Sequence, residues 1–134
     1  MSRTGDWVKR RVSITNYEQA IFDLIKQIPI GKYEYCYGIP RGGLIPATYI
    51  SYQLGLDMIV EYDLLIPRQK VLVVDDIADT GSTLEPFKEA GYDTACLFYK
   101  IRSTVKPTYY VHDASSYWIV FPYEKDDEPI NREK

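Results

Sequence analysis

The sequence has few of the residues on which several enzyme classes depend. Its 134 residues include only one histidine, His112, and two cysteines, Cys36 and Cys96. A histidine triad and a histidine-rich metal site are therefore unavailable. Both cysteines fall inside apparent strands and show no C-x-x-C spacing, which favours buried, reduced thiols over a disulfide or a zinc site.

Long apolar runs and a strong excess of one charge are also absent. No apolar stretch approaches the roughly 20 residues that span a bilayer, and the polar first residues lack the apolar core of a signal peptide. The formal net charge of -3 gives no electrostatic footprint for nucleic acid, so we interpret the basic run 9–11 as a solvated face. We expect a cytoplasmic protein that binds neither nucleic acid nor membrane.

The composition, with 46% hydrophobic and 26% charged residues, is typical of one globular domain. Thr15 and Glu18 have the spacing of a capping box, and apolar residues at helical spacing follow them. Strand-like and helix-like segments then alternate, which predicts an α/β fold with a mostly parallel sheet flanked by helices. We expect the domain to span residues 1–124, and the composition of the charged tail 125–134 is typical of disorder. The predicted helices are 16–28, 44–54 and 83–90, and the predicted strands are 33–39, 58–62, 70–76 and 94–100.

The stretch VLVVDDIADTGSTL, Val71 to Leu84, carries the strongest functional pattern. A short apolar run of the kind found in a buried strand leads into two carboxylates, Asp75 and Asp76. The turn Ala78 to Thr83 then offers hydroxyls, a glycine and backbone N–H groups, which suit a phosphate. Because carboxylates repel phosphate but accept hydrogen bonds from vicinal hydroxyls or coordinate a divalent cation, we predict a site for a sugar phosphate.

Other interpretations of this stretch are weaker. It lacks the Gly-Lys-Ser/Thr of a Walker A loop and the G-x-G-x-x-G dinucleotide fingerprint. An acidic pair after a strand also occurs in response-regulator receiver domains, but too little chain follows Asp76 to complete one. The alternative without a binding site is that Asp75 and Asp76 cap a strand and Thr83 caps a helix.

These residues resemble the phosphoribosyl pyrophosphate (PRPP) signature of type I phosphoribosyltransferases. The segment GIPRGGLIP, Gly38 to Pro46, resembles their pyrophosphate loop. The segments 98–100 and 117–119 resemble the base-binding elements of the bacterial xanthine-guanine enzymes. The resemblance implies the family fold, with a small base-binding hood, and transfer of a phosphoribosyl group from PRPP to a 6-oxopurine in purine salvage. It also implies a Mg²⁺ cofactor and a homodimer or homotetramer.

The resemblance also assigns roles to residues. Asp75 and Asp76 are expected to bind the ribose hydroxyls and the Mg²⁺ that accompanies PRPP, and Asp79 is expected to act as the general base toward the purine N7. A loop-capping role is the alternative for Asp79. The 5′-phosphate is expected to bind to Ala78, Asp79, Thr80, Gly81, Ser82 and Thr83, and the pyrophosphate to Arg41, Gly42 and Gly43.

The implied base-binding residues are Lys100, Trp118 and Ile119. Lys100 is expected to donate to a 6-oxo group, and Trp118 to stack on the base beside Ile119. The alternatives are a solvated lysine and an aromatic side chain packed in the core. A noncatalytic PRPP- or nucleotide-binding regulator on the same fold, and an enzyme for another base, also remain open.

Two further expectations follow from the resemblance. The Pro40–Arg41 peptide bond is expected to be cis, as in the family's pyrophosphate loop. The long mobile loop that closes over PRPP in the family is nearly missing, because only residues 64–70 separate two predicted strands. Without it, Arg68, Lys70 or a neighbouring subunit would have to shield the site, or the site stays open.

Overall fold

The computed structural model describes residues 8–60 and 66–126, in which strands and helices alternate along the chain. Residues 61 and 62 of the predicted strand 58–62, and residues 127–134 of the predicted tail, lie outside the described residues. The elements in chain order are β1 (Val8–Arg11), α1 (Ile14–Gln27), β2 (Tyr35–Gly38), α2 (Leu44–Leu54), β3 (Asp57–Ile59), a 3₁₀ turn (Arg68–Lys70), β4 (Val71–Ala78), α3 (Glu85–Glu89), β5 (Asp93–Tyr99), β6 (Tyr109–Asp113) and β7 (Tyr117–Val120).

Five strands form one sheet in the order β3-β2-β4-β5-β6, and every pairing in it is parallel. β4 lies at the centre of this sheet, and all eight of its residues are buried. This environment explains the apolar run Val71 to Val74, since a central parallel strand is covered on both faces. The predicted parallel α/β sheet is confirmed.

Helices cover both faces of the sheet. Helices α1 and α2 share the larger core cluster, in which Ile21 and Leu24 of α1 pack with Ile50 of α2. Helix α3 lies against the other face and contributes Phe87 to a smaller cluster with Val73 and other strand residues. No helix in the described ranges is long and apolar enough to cross a membrane.

A separate pair of parallel strands, β1 and β7, joins the two ends of the described chain. Val8 is in register with Tyr117, and Arg11 with Val120. All four residues of β1 are exposed, so the solvated basic face expected at residues 9–11 is confirmed, but these residues also form a strand. The strand could not be recognised from its polar residues, which lack the alternation of apolar side chains typical of a strand. Pairing with β7, and not burial in the core, holds these residues in place.

The predicted capping box is wrong by two residues. The N-cap of α1 is Ser13, whose hydroxyl accepts a hydrogen bond from the Asn16 N–H at 3.1 Å. Thr15 lies inside the first turn of the helix. Ser13 and Thr15 are both common capping residues, and the start of the helix is decided by Val12 and Tyr17, which are buried on either side of the cap.

Two other boundaries differ near the predicted phosphate loop. β4 continues past Asp75 and Asp76 to Ala78, so the carboxylates lie within the strand and not at its end. Helix α3 begins at Glu85, two residues later than predicted, and its N-cap is Leu84. Thr83 therefore does not cap the helix.

The cysteine prediction is confirmed for both residues. Cys36 and Cys96 are free and buried, in β2 and β5 respectively. Burial raises the pKa of the Cys36 thiol to about 12, with a smaller contribution from Asp57.

Candidate active site

The two carboxylates that follow Val74 are buried at the carboxyl end of the sheet. Asp75 accepts a hydrogen bond from the Asp76 N–H at 2.8 Å, and Asp76 accepts one from the Ile77 N–H at 2.8 Å. The Tyr123 hydroxyl donates to the other Asp76 oxygen, Oδ2. Burial, followed by the charge of Asp76, raises the pKa of the Tyr123 hydroxyl, so this group is a proton donor at neutral pH.

The segment predicted to bind pyrophosphate lies directly against this carboxylate. A Cβ atom on Gly42 would lie 2.1 Å from Asp76 Oδ2, and one on Gly43 would lie 2.4 Å from the Val74 carbonyl oxygen. Both positions therefore require glycine because of close approach. The Gly43 N–H donates to the Ile39 carbonyl at 2.8 Å, which tightens the turn before α2.

The Pro40–Arg41 peptide bond in this turn is cis, as expected. The side chain of Arg41 is exposed, and its neighbour Gly42 lies against Asp76. The structure thus brings together two segments, 41–43 and 75–76, that α2 and β3 separate in the sequence.

The loop predicted to bind phosphate connects β4 to α3. Gly81 has a φ angle of +89°, a conformation that glycine adopts at little cost. The Thr80 and Ser82 hydroxyls lie 3.0 Å apart. Within the described part of the chain, the N–H groups of Gly81 and Thr83 donate no hydrogen bond, so they are available to an anion.

A second loop, residues 100–105, packs onto the phosphate loop. The Lys100 N–H donates to Ala78 and the Thr104 N–H to Thr80, both at 2.9 Å. A Cβ atom on Gly81 would lie 2.5 Å from Thr104 Oγ1, so a side chain at this position would separate the two loops. The sequence motif does not extend to residues 101–105, and this packing was not predicted.

Asp79, the predicted general base, lies between two cationic side chains and is 3% exposed. Arg102 donates to Asp79 Oδ1 through Nε at 2.8 Å and through Nη2 at 2.5 Å. The Lys100 ammonium lies 3.7 Å from the same oxygen. The contact with Arg102 shows that Asp79 does not cap its own loop.

Lys100 is only 1% exposed and is therefore not the solvated lysine of the alternative interpretation. Its ammonium lies 5.6 Å from the centre of the Trp118 ring. Burial lowers the pKa of Lys100 to about 8; Asp79 opposes this shift and Arg102 adds to it. At neutral pH the side chain is predominantly protonated and donates hydrogen bonds.

The two residues expected to bind the base point in different directions. Trp118 packs with Val120 on the Lys100 side of β7. The Ile119 side chain lies in the main core with Phe98 and Phe121. A contact between Ile119 and a ligand on the Trp118 side would therefore have to come from its backbone.

Two residues at the site were not predicted from the sequence. Arg102 follows the predicted base residue by two positions, and Tyr123 belongs to the polar segment after the last strand. Neither occurs in a recognisable motif. Only the charge of Arg102, two positions after Lys100, could have indicated its role in the sequence. An arginine in a loop near a carboxylate site commonly forms an ion pair with it.

The described residues contain no cluster of three or more histidine, cysteine, aspartate or glutamate side chains that could hold a metal ion by themselves. The donor set is instead two adjacent carboxylates, each of which uses one oxygen for a backbone N–H. Such a pair fits Mg²⁺, which commonly binds to one or two carboxylates together with oxygens of a substrate phosphate.

Comparison with known proteins gives a consistent result, although no protein-family model matches the sequence. The chain is 28% identical over 136 aligned positions to a xanthine-guanine phosphoribosyltransferase from Vibrio vulnificus, covering 81% of this chain and 86% of the relative. It is 33% identical to a purine phosphoribosyltransferase of known structure from Pyrococcus horikoshii, with a TM-score of 0.75 over 90% of this chain and 97% of the other.

A third protein shares the fold. The xanthine-guanine-hypoxanthine phosphoribosyltransferase of Helicobacter pylori superposes with a TM-score of 0.74 at 24% identity, over 88% of this chain and 95% of its own. The fold and the paired loops define an enzyme of the phosphoribosyltransferase class. This chain belongs to the type I phosphoribosyltransferase family.

Proposed function

We propose that the enzyme transfers the phosphoribosyl group of PRPP to a 6-oxopurine, namely guanine, xanthine or hypoxanthine. A ring nitrogen of the purine forms a bond to C1′ of PRPP, and the bond from C1′ to the pyrophosphate oxygen breaks. The proton lost from the purine passes from N7 to the Asp79 carboxylate. The products are a nucleoside 5′-monophosphate and pyrophosphate.

The observation that carries the choice of base is the buried Lys100 ammonium between Asp79 and the Trp118 ring. A purine stacked on Trp118 would direct N7 toward Asp79 and its 6-substituent toward Lys100. Because a protonated lysine only donates hydrogen bonds, it pairs with an oxo group and leaves an amino group without an acceptor. This geometry favours guanine, xanthine and hypoxanthine over adenine.

The other half of the substrate fits the phosphate loop and the acidic pair. The N–H groups of Gly81 and Thr83 and the nearby hydroxyls are suited to the 5′-phosphate. Asp75 and Asp76 would hold the ribose hydroxyls and, with oxygens of PRPP, a Mg²⁺ ion that offsets the charge of the departing pyrophosphate. Arg41, with the amides of Gly42 and Gly43, would bind the pyrophosphate as it leaves.

The relatives support this proposal at two levels. The Pyrococcus horikoshii protein, at 33% identity, is named for purines in general. The Vibrio vulnificus relative is named for xanthine and guanine, at 28% identity. The proposed reaction is a step of purine salvage, and the cytoplasmic location remains part of this proposal.

The direct test is a product assay with PRPP, Mg²⁺ and each of guanine, hypoxanthine, xanthine and adenine. We expect nucleoside monophosphates from the oxopurines, and adenine turnover lower by about 10⁴-fold or more, since a site built for one hydrogen-bond pattern rejects an analogue that leaves it unpaired. Comparable turnover of adenine would contradict the assignment of Lys100.

A second candidate function is binding of PRPP or a nucleotide without turnover. The observation in its favour is the short connection between β3, which ends at Ile59, and β4, which begins at Val71. The loop that closes over PRPP is expected in this connection, and a site that does not close is less suited to catalysis than to binding. Calorimetry with PRPP and Mg²⁺ beside the product assay separates the two functions. Tight binding with no product from any base would support the second.

A further inference from the structure

Arg102 is held in place by the loop on which it lies. The N–H groups of Lys100 and Thr104, on either side of Arg102, donate to the phosphate loop at 2.9 Å, and the Ser103 N–H donates to the Lys100 carbonyl at 2.9 Å. Thr104 Oγ1 also donates to Glu85 at 2.9 Å. The backbone of Arg102 is therefore fixed relative to the loop that carries Asp79.

The contacts with the Asp79 carboxylate are uneven. Two guanidinium nitrogens of Arg102 bind Oδ1, at 2.8 and 2.5 Å, and the Lys100 ammonium approaches the same oxygen. Among residues 8–60 and 66–126, every charged contact with this carboxylate falls on Oδ1. None of these charged contacts involves the second oxygen, Oδ2.

We propose that Arg102 is a positioning residue that fixes the rotation of the Asp79 carboxylate, so that Oδ1 is occupied and Oδ2 faces the purine N7. This inference rests on the proposed function, in which Asp79 accepts the N7 proton. Arg102 does not touch the purine. It determines which carboxylate oxygen of Asp79 contacts the purine N7.

The side chain at position 102 needs the shape of arginine as well as its charge. The guanidinium presents Nε and Nη2 in one plane, so two donors reach a single carboxylate oxygen and limit its rotation. Lysine would supply the charge through a freely rotating ammonium. Lys100 already provides a charge of this kind, and its distance of 3.7 Å from Oδ1 is too long for a hydrogen bond that orients the carboxylate.

The kinetic test compares Arg102→Gln and Arg102→Lys with the wild-type enzyme, using guanine and PRPP as substrates. We expect Arg102→Gln to lower kcat by about 10-fold to 10²-fold, with the KM for PRPP changed less than about threefold, because orientation of a catalytic base acts on the chemical step. Arg102→Lys should recover only a small part of the loss. In Arg102→Ala, added methylguanidine should raise kcat.

The matched control is Arg68→Gln. Arg68 is exposed and precedes β4, at the amino edge of the sheet, where it is far from Asp79. This variant should keep wild-type kcat and KM. A rise in the KM for PRPP with unchanged kcat in Arg102→Gln would instead identify Arg102 as a phosphate ligand and overturn the proposal, as would full recovery of kcat in Arg102→Lys.

A structural measurement tests the inference even if the enzyme turns over no oxopurine. Crystal structures of the wild type and of Arg102→Gln, or of Arg102→Lys if the first does not fold, should show the Asp79 carboxylate rotated in the variant while residues 100–105 keep their backbone position. An unchanged Asp79 carboxylate would overturn the positioning role. Absence of turnover in the wild type would count only against the proposed function.

Discussion

The site consists of two halves that are built in different ways. The phosphoribosyl half comprises segments 41–43, 75–76 and 78–83, and it offers backbone N–H groups and carboxylates on short stretches of chain. The base half comprises Lys100, Arg102 and Trp118, whose side chains come from a loop and a separate strand. Asp79 lies at the junction of the two halves. Under the proposed function, binding of the phosphate depends on local backbone geometry, whereas selection of the base depends on side chains that the fold brings together.

The largest expected effect is at the junction. Asp79→Asn removes the proposed proton acceptor but keeps its size, so PRPP binding should remain near normal while turnover falls by about 10² to 10⁴. Single-turnover kinetics and PRPP calorimetry measure the two quantities separately. Asp57→Asn, at an exposed position in β3, is the control and should change neither.

The companion variant Asp76→Asn sharpens this prediction. Asp76 lies in the phosphoribosyl half, so this variant should weaken binding of Mg²⁺ and PRPP, whereas Asp79→Asn should lower turnover with PRPP binding near normal. Small, equal effects of the Asp76 and Asp79 variants on turnover would mean that neither residue has its proposed role.

The next effect is confined to the base half. Lys100→Met removes a charged hydrogen bond to the 6-oxo group, a contact worth about 1.5–3 kcal/mol, so kcat/KM for guanine should fall by about 10 to 10² while PRPP affinity is kept. Lys106→Met, at an exposed position in the same connection, is the control. A loss of PRPP affinity in Lys100→Met would show that the two halves are not separable.

Lys100 also gives the activity a pH dependence. Because burial lowers its pKa to about 8, the protonated donor is present below that pH and is lost as the pH rises through it. Turnover of guanine should therefore decline above about pH 8 in the wild type. The pH–rate profile of Lys100→Met should lack this decline; if the decline persists in the variant, another group causes it.

The last comparison concerns stability instead of activity, and it uses two tyrosines near Asp76. The Tyr123 hydroxyl donates to Asp76, whereas the Tyr17 hydroxyl is buried and has no hydrogen-bond partner among the described residues. Tyr123→Phe should lower the free energy of unfolding by about 1.5–3 kcal/mol, and Tyr17→Phe should leave it unchanged or raise it slightly. Urea denaturation of both variants gives the difference, and equal destabilisation would contradict the assignment of the Asp76 bond.

Residues 75–83 of the proposed phosphoribosyl half form a recognisable pattern because they are contiguous, whereas segment 41–43 was assigned through a second motif. Asp75, Asp76 and the loop to Thr83 form one pattern, and their chemistry can be deduced without knowing what packs around them. The all-parallel sheet was equally predictable, since a central strand on which both faces are buried requires the apolar run Val71 to Val74.

The rest of the site depends on contacts between distant residues. Arg102 was missed because the hydrogen bond from Thr104 to Thr80 places it beside Asp79, and no local pattern encodes that bond. Tyr123 was missed because it reaches Asp76 from beyond the last strand. Of the alternatives for the missing loop, shielding by Arg68 or Lys70 is wrong. Both residues precede β4, at the edge of the sheet opposite Asp76, and Lys70 forms an ion pair with Glu34 at 2.7 Å.

The pairing of β1 with β7 has a consequence for how the enzyme is made. During synthesis β2, β4 and the phosphate loop emerge early, and they can associate before translation ends. β1 must wait for its partner until nearly the whole described chain has left the ribosome, because Val8 pairs with Tyr117. Trp118 lies on that late strand. A nascent chain stalled before Tyr117 should therefore bind a sugar phosphate before Trp118 is present to stack on a base.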